Sequence, residues 1–329
     1  MALESERRVA VQAVLKACTL CRTVQRNLVS DETLAKKDRS PVTVADFGGQ
    51  AVVSVELTAG FPDLPMVGEE DASALRAGEG AALRDKVVRS VQAVKPDLTP
   101  DQVLAAIDYG THPGGAAGRF WVLDPIDGTK GFLRGDQYAI ALGLIDAGQV
   151  VLGVLGCPNL PLDSRRPEGP TGCLFIATQG AATVMRSLDD DRELPVRVTD
   201  VDDPAQASFC ESVEKEHSKH SDSAKIAATL GVTAPPFRID SQCKYAAIAR
   251  GDSSIYLRMP TRADYEERIW DHAAGWSVVT EAGGRVTDIA GHDLDFSIGR
   301  TLRSNKGVVA TNGRLHDRVI EAIGQVIGA

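Results

Sequence analysis

The chain has 329 residues, 43% hydrophobic and 25% charged, which supports a sizeable buried core and leaves room for two domains. Lys plus Arg total 36 against 45 Asp plus Glu, a formal net charge of −9 that argues against a basic face for nucleic-acid polymers. No apolar run approaches the roughly 18 residues of a membrane span, and the N-terminus has no basic stretch leading into an apolar one. A cytoplasmic protein is expected, or an organellar one that has lost a transit peptide.

In chain order, the first 28 or so residues carry a helical pattern (Val11, Val14, Leu15, Cys18), broken by the polar stretch 36–41. Thr43 and Asp46 then precede an apolar helix at Ala51–Val55 that stops near Gly60 and Pro62. Met66-Val67 reads as a short strand entering Gly68-Glu69-Glu70-Asp71, residues 72–108 as helices, and 110–118 as a glycine-rich loop. From Phe120 the period changes: Phe120–Leu123, Tyr138–Ile145, Val150–Leu155 and Leu174–Ala177 read as strands of a meander, with an exposed proline-rich loop over 158–172. Polar segments at 187–192 and 200–204 suggest a boundary that divides the chain into 1–199 and 200–329. Beyond it helices at His220–Leu230, Ser241–Ala249, Trp270–Ala282 and Leu315–Ile327 alternate with strands at Ile255–Met259 and Gly307–Ala310, an α/β pattern.

Six cysteines do not make a disulfide scaffold. Cys18 and Cys21, one helical turn apart, read as core rather than as a zinc pair. Cys157 and Cys173 end two predicted strands. If those strands pair, either two buried thiols or a redox-sensitive disulfide results.

The sharpest local signal is Asp124-Pro125-Ile126-Asp127-Gly128-Thr129, where an apolar strand ends. Two carboxylates three residues apart can face one centre, and Gly128 lets a ligand approach the backbone closely, with nearby amides and the Thr129 hydroxyl as donors. Oxygen ligands without His or Cys favour Mg2+ over zinc. The same residues also make a good turn sequence. Glu69-Glu70-Asp71 is costly to gather without a cation, since like charges about 4 Å apart repel by roughly 4 kcal/mol at an effective dielectric near 20, yet it also suits a solvated turn. Asp46 and Asp271 each suit a helix N-cap as well as a site.

Taken together, Pro41-Val42-Thr43-Val44-Ala45-Asp46, Val67-Gly68-Glu69-Glu70, Trp121 to Thr129, and Trp270-Asp271-His272-Ala273-Ala274-Gly275 resemble the lithium-sensitive, Mg2+-dependent phosphatases related to inositol monophosphatase and fructose bisphosphatase. Asp127 to Gly135, Glu214 to Ser218, Asp240 to Tyr245 and Ile255 to Arg258 are similar to the 3′(2′),5′-bisphosphate nucleotidase branch. The resemblance implies a layered α-β-α-β-α fold of the α/β class, an α+β N-terminal domain followed by an α/β C-terminal one. It implies two to three Mg2+ ions, inhibition by Li+, and ligands Glu69, Asp124, Asp127, Asp271 and the Ile126 carbonyl, with Asp46 at a more weakly held ion.

Thr129, hydrogen-bonded to Asp46, would orient a metal-activated water, and Gly128, Thr129 and Asp271 would touch the substrate. Lys244, Arg258 and Ser241 would hold the retained 5′-phosphate, while Glu214 and His217 would face the nucleoside. Without the resemblance, Lys244 reads as a solvated helix face, Arg258 as a strand-edge residue and His217 as surface. The implied activity is removal of the 3′-phosphate from 3′-phosphoadenosine 5′-phosphate, or from its 5′-phosphosulfate, giving AMP and phosphate in the first case. A small bisphosphate nucleotide is then the partner, with no nucleic-acid polymer and no membrane, and the chain is expected as a monomer. Two other readings stay open: an inositol polyphosphate or monophosphate phosphatase, and a nucleotide-binding sensor with little turnover.

Overall fold

The computed structural model describes residues 3–30, 40–213, 220–262 and 264–328. The first half begins with two long helices, α1 (Glu4–Ser30) and α2 (Ser40–Gly60), followed by β1 (Met66–Gly68), α3 (Ser73–Arg76), α4 (Ala81–Gln92) and α5 (Pro100–Asp108). The chain then meanders through β2 (Arg119–Asp127), the short α6 (Thr129–Arg134), β3 (Ala139–Asp146), β4 (Gln149–Pro161), β5 (Thr171–Thr178), β6 (Val184–Ser187) and β7 (Leu194–Pro195). These strands form one seven-stranded sheet in the order β1 to β7, with β1 parallel to β2 and the rest antiparallel.

The second half contains β8 (Phe209–Glu211), α7 (His220–Thr229), β9 (Phe237–Arg238), α8 (Cys243–Ala249), β10 (Ile255–Arg258), α9 (Ala273–Glu281), β11 (Arg285–Thr287), β12 (Val308–Thr311) and α10 (His316–Ile327). Its five-stranded mixed sheet runs β11-β12-β10-β8-β9. No described helix is long and apolar enough to cross a membrane.

Both faces of the larger sheet are covered, which is why its strands read as nearly continuous apolar runs. Along β2, Trp121 and Leu123 join the cluster under α1 and α2, while Phe120 and Val122 join the cluster on the opposite face. That second cluster includes α8 and α9, which lie between the two sheets; α7 and α10 cover the outer face of the smaller sheet. The layers are therefore helix, sheet, helix, sheet, helix.

Several boundaries differ from the sequence reading. Helix α2 starts at Ser40, so Thr43 and Asp46 lie inside it and Asp46 is no N-cap; Asp46 faces the core, 7% exposed. Strand β4 continues to Pro161, because its pairing with β5 resumes after a bulge at Pro161 opposite Thr171. The exposed loop therefore shrinks to 162–170, and Cys157 and Cys173 sit directly opposite one another as buried free thiols. The expected helix from Trp270 opens instead with a 3-10 turn, Ile269–Asp271, and α9 begins only after His272. Strands β6 to β9 and β11 have two to four residues each, too short to show a period of their own.

Candidate active site

At the C-terminal end of β2 the pairing with β3 slips by one residue: Asp124 lies opposite Ala141 and Asp127 opposite Ala139. In a regular strand, residues three apart point to opposite faces. The extra residue of a bulge brings them back to the same side. Gly128 follows with φ +92°, and a Cβ there would come 2.8 Å from the Ser241 Cβ, so only glycine lets the chain turn into α6 beneath Ser241.

Glu69 arrives directly after β1, whose parallel pairing with β2 sets Gly68 opposite Leu123. Asp271 arrives in the 3-10 turn before α9, so the acids come from both halves of the chain. The bland alternative for Asp271 fails: the residue preceding α9 is His272, and no side chain caps that helix.

These residues line one cleft of about 520 Å³. Of the predicted positions, Glu69, Asp124, Ile126, Asp127, Gly128, Thr129, Ser241, Lys244, Arg258 and Asp271 all face it. Asp46 lies behind the lining, close enough to be felt by Asp124, and it feels Glu69 and Glu70 in turn. The expected Thr129–Asp46 hydrogen bond is not made; Asp46 Oδ1 is buried without a partner. The reason is geometric: Asp46 projects from the buried face of α2, whereas Thr129 faces the cleft from α6. Glu214 and His217 lie outside the described residues.

The acids are buried and repel one another. Burial, then Glu69 and Asp127, pushes Asp124 well above the ordinary carboxylate range. Burial, then Asp271 and Glu70, raises Glu69 to about 8, while a hydrogen bond with Asp124 pulls the other way. Asp271 is raised to about 6 by burial, against the pull of Arg258, and Asp46 is raised by burial and by Glu70. Asp124 Oδ1, like Asp46 Oδ1, is buried with no hydrogen-bond partner. Two buried carboxylate oxygens without partners, beside further acids lining the same cleft, fit a hard divalent cation, which would answer both the desolvation and the repulsion.

The cleft also holds cations. Lys244 is 5% exposed, far from a solvated helix face, and its ammonium lies 5.3 Å from the centre of the Tyr256 ring. Burial lowers its pKa, with Asp127 opposing. Arg258 Nη2 contacts Glu267 Oε2 at 2.9 Å, Asp271 Oδ2 at 3.2 Å and the Tyr265 hydroxyl at 3.4 Å.

Glu267 is in turn bonded by His272 Nε2 at 3.1 Å, and His272 Nδ1 lies 2.7 Å from the Tyr245 hydroxyl. A carboxylate can only accept, so Nε2 carries the proton and Nδ1 accepts from Tyr245. Among the described residues, Glu267, Asp271 and His272 are the one trio of possible ligand atoms within 4.8 Å of each other. Arg258 and the His272 N–H already answer their charge. Ser241 holds a left-handed φ of +64°, and the neighbouring Gln242 N–H donates to Asp127 Oδ2 at 2.5 Å. The Gln242 amide side chain also donates to the Trp270 carbonyl and accepts from the Gly275 N–H.

Sequence reasoning missed Glu267, Gln242 and Tyr265. Glu267 carried a signal, an acid four residues before Asp271, but nothing showed that both would meet on one guanidinium.

The chain belongs to the inositol monophosphatase family, whose model matches residues 2–327, and is a phosphatase. More particular is its likeness to proteins named 3′(2′),5′-bisphosphate nucleotidase. It is 47% identical to one from Oryza sativa, covering 98% of this chain and 94% of that protein, and 43% identical to one from Schizosaccharomyces pombe, covering 99% and 97%. Among solved structures, an inositol monophosphatase from Anabaena superposes with a TM-score of 0.64 at 19% identity, over 99% of this chain and 98% of that one, a likeness of fold.

Proposed function

We propose that this chain is a Mg2+-dependent 3′(2′),5′-bisphosphate nucleotidase that hydrolyses the 3′-phosphate of 3′-phosphoadenosine 5′-phosphate to leave AMP. One observation carries the reading: a single cleft is lined both by the acids and by two cations, the buried Lys244 and the half-buried Arg258. An inositol monophosphate leaves those cations idle. A nucleotide with two phosphates uses both, and its retained phosphate suits the planar fork of Arg258. The relatives' names point the same way.

Glu69, Asp124, Asp127, Asp271 and the Ile126 carbonyl are the groups that would hold the principal ions, with Asp46 beside a weaker one. Magnesium in such a site supplies a Lewis acid that neutralises about four negative charges of substrate and eases deprotonation of water. The chain's own residues do the rest. Thr129 Oγ1 would orient the attacking water, and Asp46 Oδ1, which lies behind the lining without a partner, is the oxygen that would receive the proton, through a hydrogen bond made only in the substrate complex. Lys244 and Arg258, with help from Ser241, would fix the retained phosphate and so the in-line approach. No side chain forms a covalent phospho-intermediate.

The test is phosphate release from 3′-phosphoadenosine 5′-phosphate, its 5′-phosphosulfate, inositol 1,4-bisphosphate and inositol 1-phosphate, each with and without Mg2+ and with Li+ added. Mg2+-dependent, lithium-inhibited turnover fastest on the adenosine substrates is expected. Equal or faster turnover of inositol 1-phosphate would overturn the reading, and tight nucleotide binding without turnover would make the chain a sensor.

A further inference from the structure

Of the acids that would hold the metal, Glu69 and Asp271 sit in two separate turns, one in each half of the chain, and a single side chain touches both turns. Arg300 Nη2 donates to the Gly68 carbonyl at 2.5 Å, immediately before Glu69. Its Nη1 donates to the carbonyls of Gly110 and His112 at 3.1 and 3.0 Å. Its guanidinium lies over the Trp270 ring, 4.9 Å from the centroid, immediately before Asp271. The Arg300 carbonyl accepts from the Ile269 N–H at 3.2 Å, and Thr301 bridges to Arg268, so the backbone of this segment also carries the Asp271 turn.

Gly68 has no side chain, which leaves its backbone open to grip from two directions. A Cβ there would fall 2.5 Å from Gln50 Oε1. Gln50 secures the turn from the α2 side by accepting from the Glu70 N–H and donating to the Glu70 and Ile107 carbonyls. Arg300 secures it from the other half. A lysine could not reproduce this grip, because it lacks the planar fork that reaches three carbonyls while stacking on an indole.

We infer that Arg300 is a positioning residue that fixes the Glu69 turn relative to the Asp271 turn and thereby sets the affinity of the acidic site for divalent cations. The second part rests on the metal reading proposed above. Outer groups that orient metal ligands typically change affinity by about 10- to 100-fold when removed.

The experiment uses the full chain stripped of metal, as wild type, Arg300→Met, Arg300→Lys and Arg268→Met. Arg268 lies over the same indole at 5.7 Å from its centroid and makes no hydrogen bond to the Gly68 turn. Two readouts are taken: Mg2+ and Mn2+ binding by calorimetry without substrate, and hydrogen exchange over residues 66–72 and 110–112.

Arg300→Met should speed exchange in those segments and weaken metal binding about 10- to 100-fold. Arg300→Lys should hold the thermal midpoint of the metal-free protein yet bind metal nearly as weakly as Arg300→Met, which decides the matter if Arg300→Met does not fold. Arg268→Met should bind metal as wild type does. Unchanged exchange in Arg300→Met, faster exchange with unchanged metal affinity, wild-type affinity in Arg300→Lys, or an equal loss in Arg268→Met would each overturn the inference. Failure of the wild type to bind either cation would overturn the metal reading and with it the link to affinity, and the exchange data would still report whether Arg300 holds the turn.

Discussion

Asp124 shows how a residue can be placed against its own charge. Burial and neighbouring acids hold its carboxyl well above the usual range, so Asp124→Asn removes a repulsion as well as a proposed metal ligand. The variant should lose phosphate release by about 1,000-fold or more, while its metal-free stability rises by about 1 kcal/mol. Phosphate assays and urea melts in EDTA check both signs. Lys244→Ala removes a buried cation from the same cleft and should raise KM for the bisphosphate by about tenfold or more, with a much smaller change for a monophosphate ester. Equal losses on both substrates would take Lys244 out of the second-phosphate position.

Asp124 and Asp127 were legible as a pair because three-residue spacing is set by local chain geometry, whereas Asp46, Glu69 and Asp271, each of which also suits a cap or a turn, were gathered only by the family resemblance. Partners such as Glu267 for Arg258, or Arg300 for Gly68, were not legible. They depend on which loops the fold brings together, and no periodicity records that.

At the scale of elements, the turn from β2 into α6 rests on Gly128. Gly128→Ala would force a side chain into a left-handed backbone and against Ser241. It should cost about 1–3 kcal/mol, read as a lower urea midpoint, and should reduce turnover by displacing Asp127 and Thr129.

Helix α10 begins with a second buried device. His316 Nε2 and Nδ1 meet the hydroxyls of Thr287 in β11 and Thr311 in β12 at 2.9 and 3.0 Å. Thr287 spends its own proton on the Asp288 carbonyl, so it accepts from Nε2, and Nδ1 must accept from Thr311. Burial, helped by Arg285, lowers the His316 pKa from 6.5 to about 4. The folded state therefore excludes a proton that the unfolded chain takes up below pH 6.5. Stability from this ring is complete above that pH and is lost as pH falls toward 4, by about 2 kcal/mol between pH 7 and pH 5. The stability difference between wild type and His316→Gln should shrink by that amount over the same range, and a difference independent of pH would contradict the pairing.

Long elements such as α1, the β2 to β5 meander and α10 were readable from their periods. The start of α2 was not, because Ser40-Pro41 resembles a break yet serves as a first turn, where proline lacks no needed N–H.

At the scale of the whole molecule, a metal site of the kind proposed, assembled from both halves of the chain, would link metal binding to global stability. Mg2+ at 100 times its dissociation constant should add about 2.7 kcal/mol, seen as a thermal midpoint that climbs with metal concentration and returns with EDTA. Asp124→Asn should show little of this climb. The five-layer order was legible only through family resemblance. Composition and alternation gave strands and helices, but nothing in them told which helices lie between the sheets.

The position of α8 and α9 has a consequence for how the polypeptide is made. Those helices belong to the later half of the chain, yet they cover one face of a sheet completed by residue 195. During synthesis that face, with Phe120, Val122 and Phe175 on it, must wait bare until residues beyond 281 have left the ribosome. A truncated product ending near residue 199 should therefore aggregate or recruit chaperones, and supplying residues 200–329 in trans should rescue its solubility.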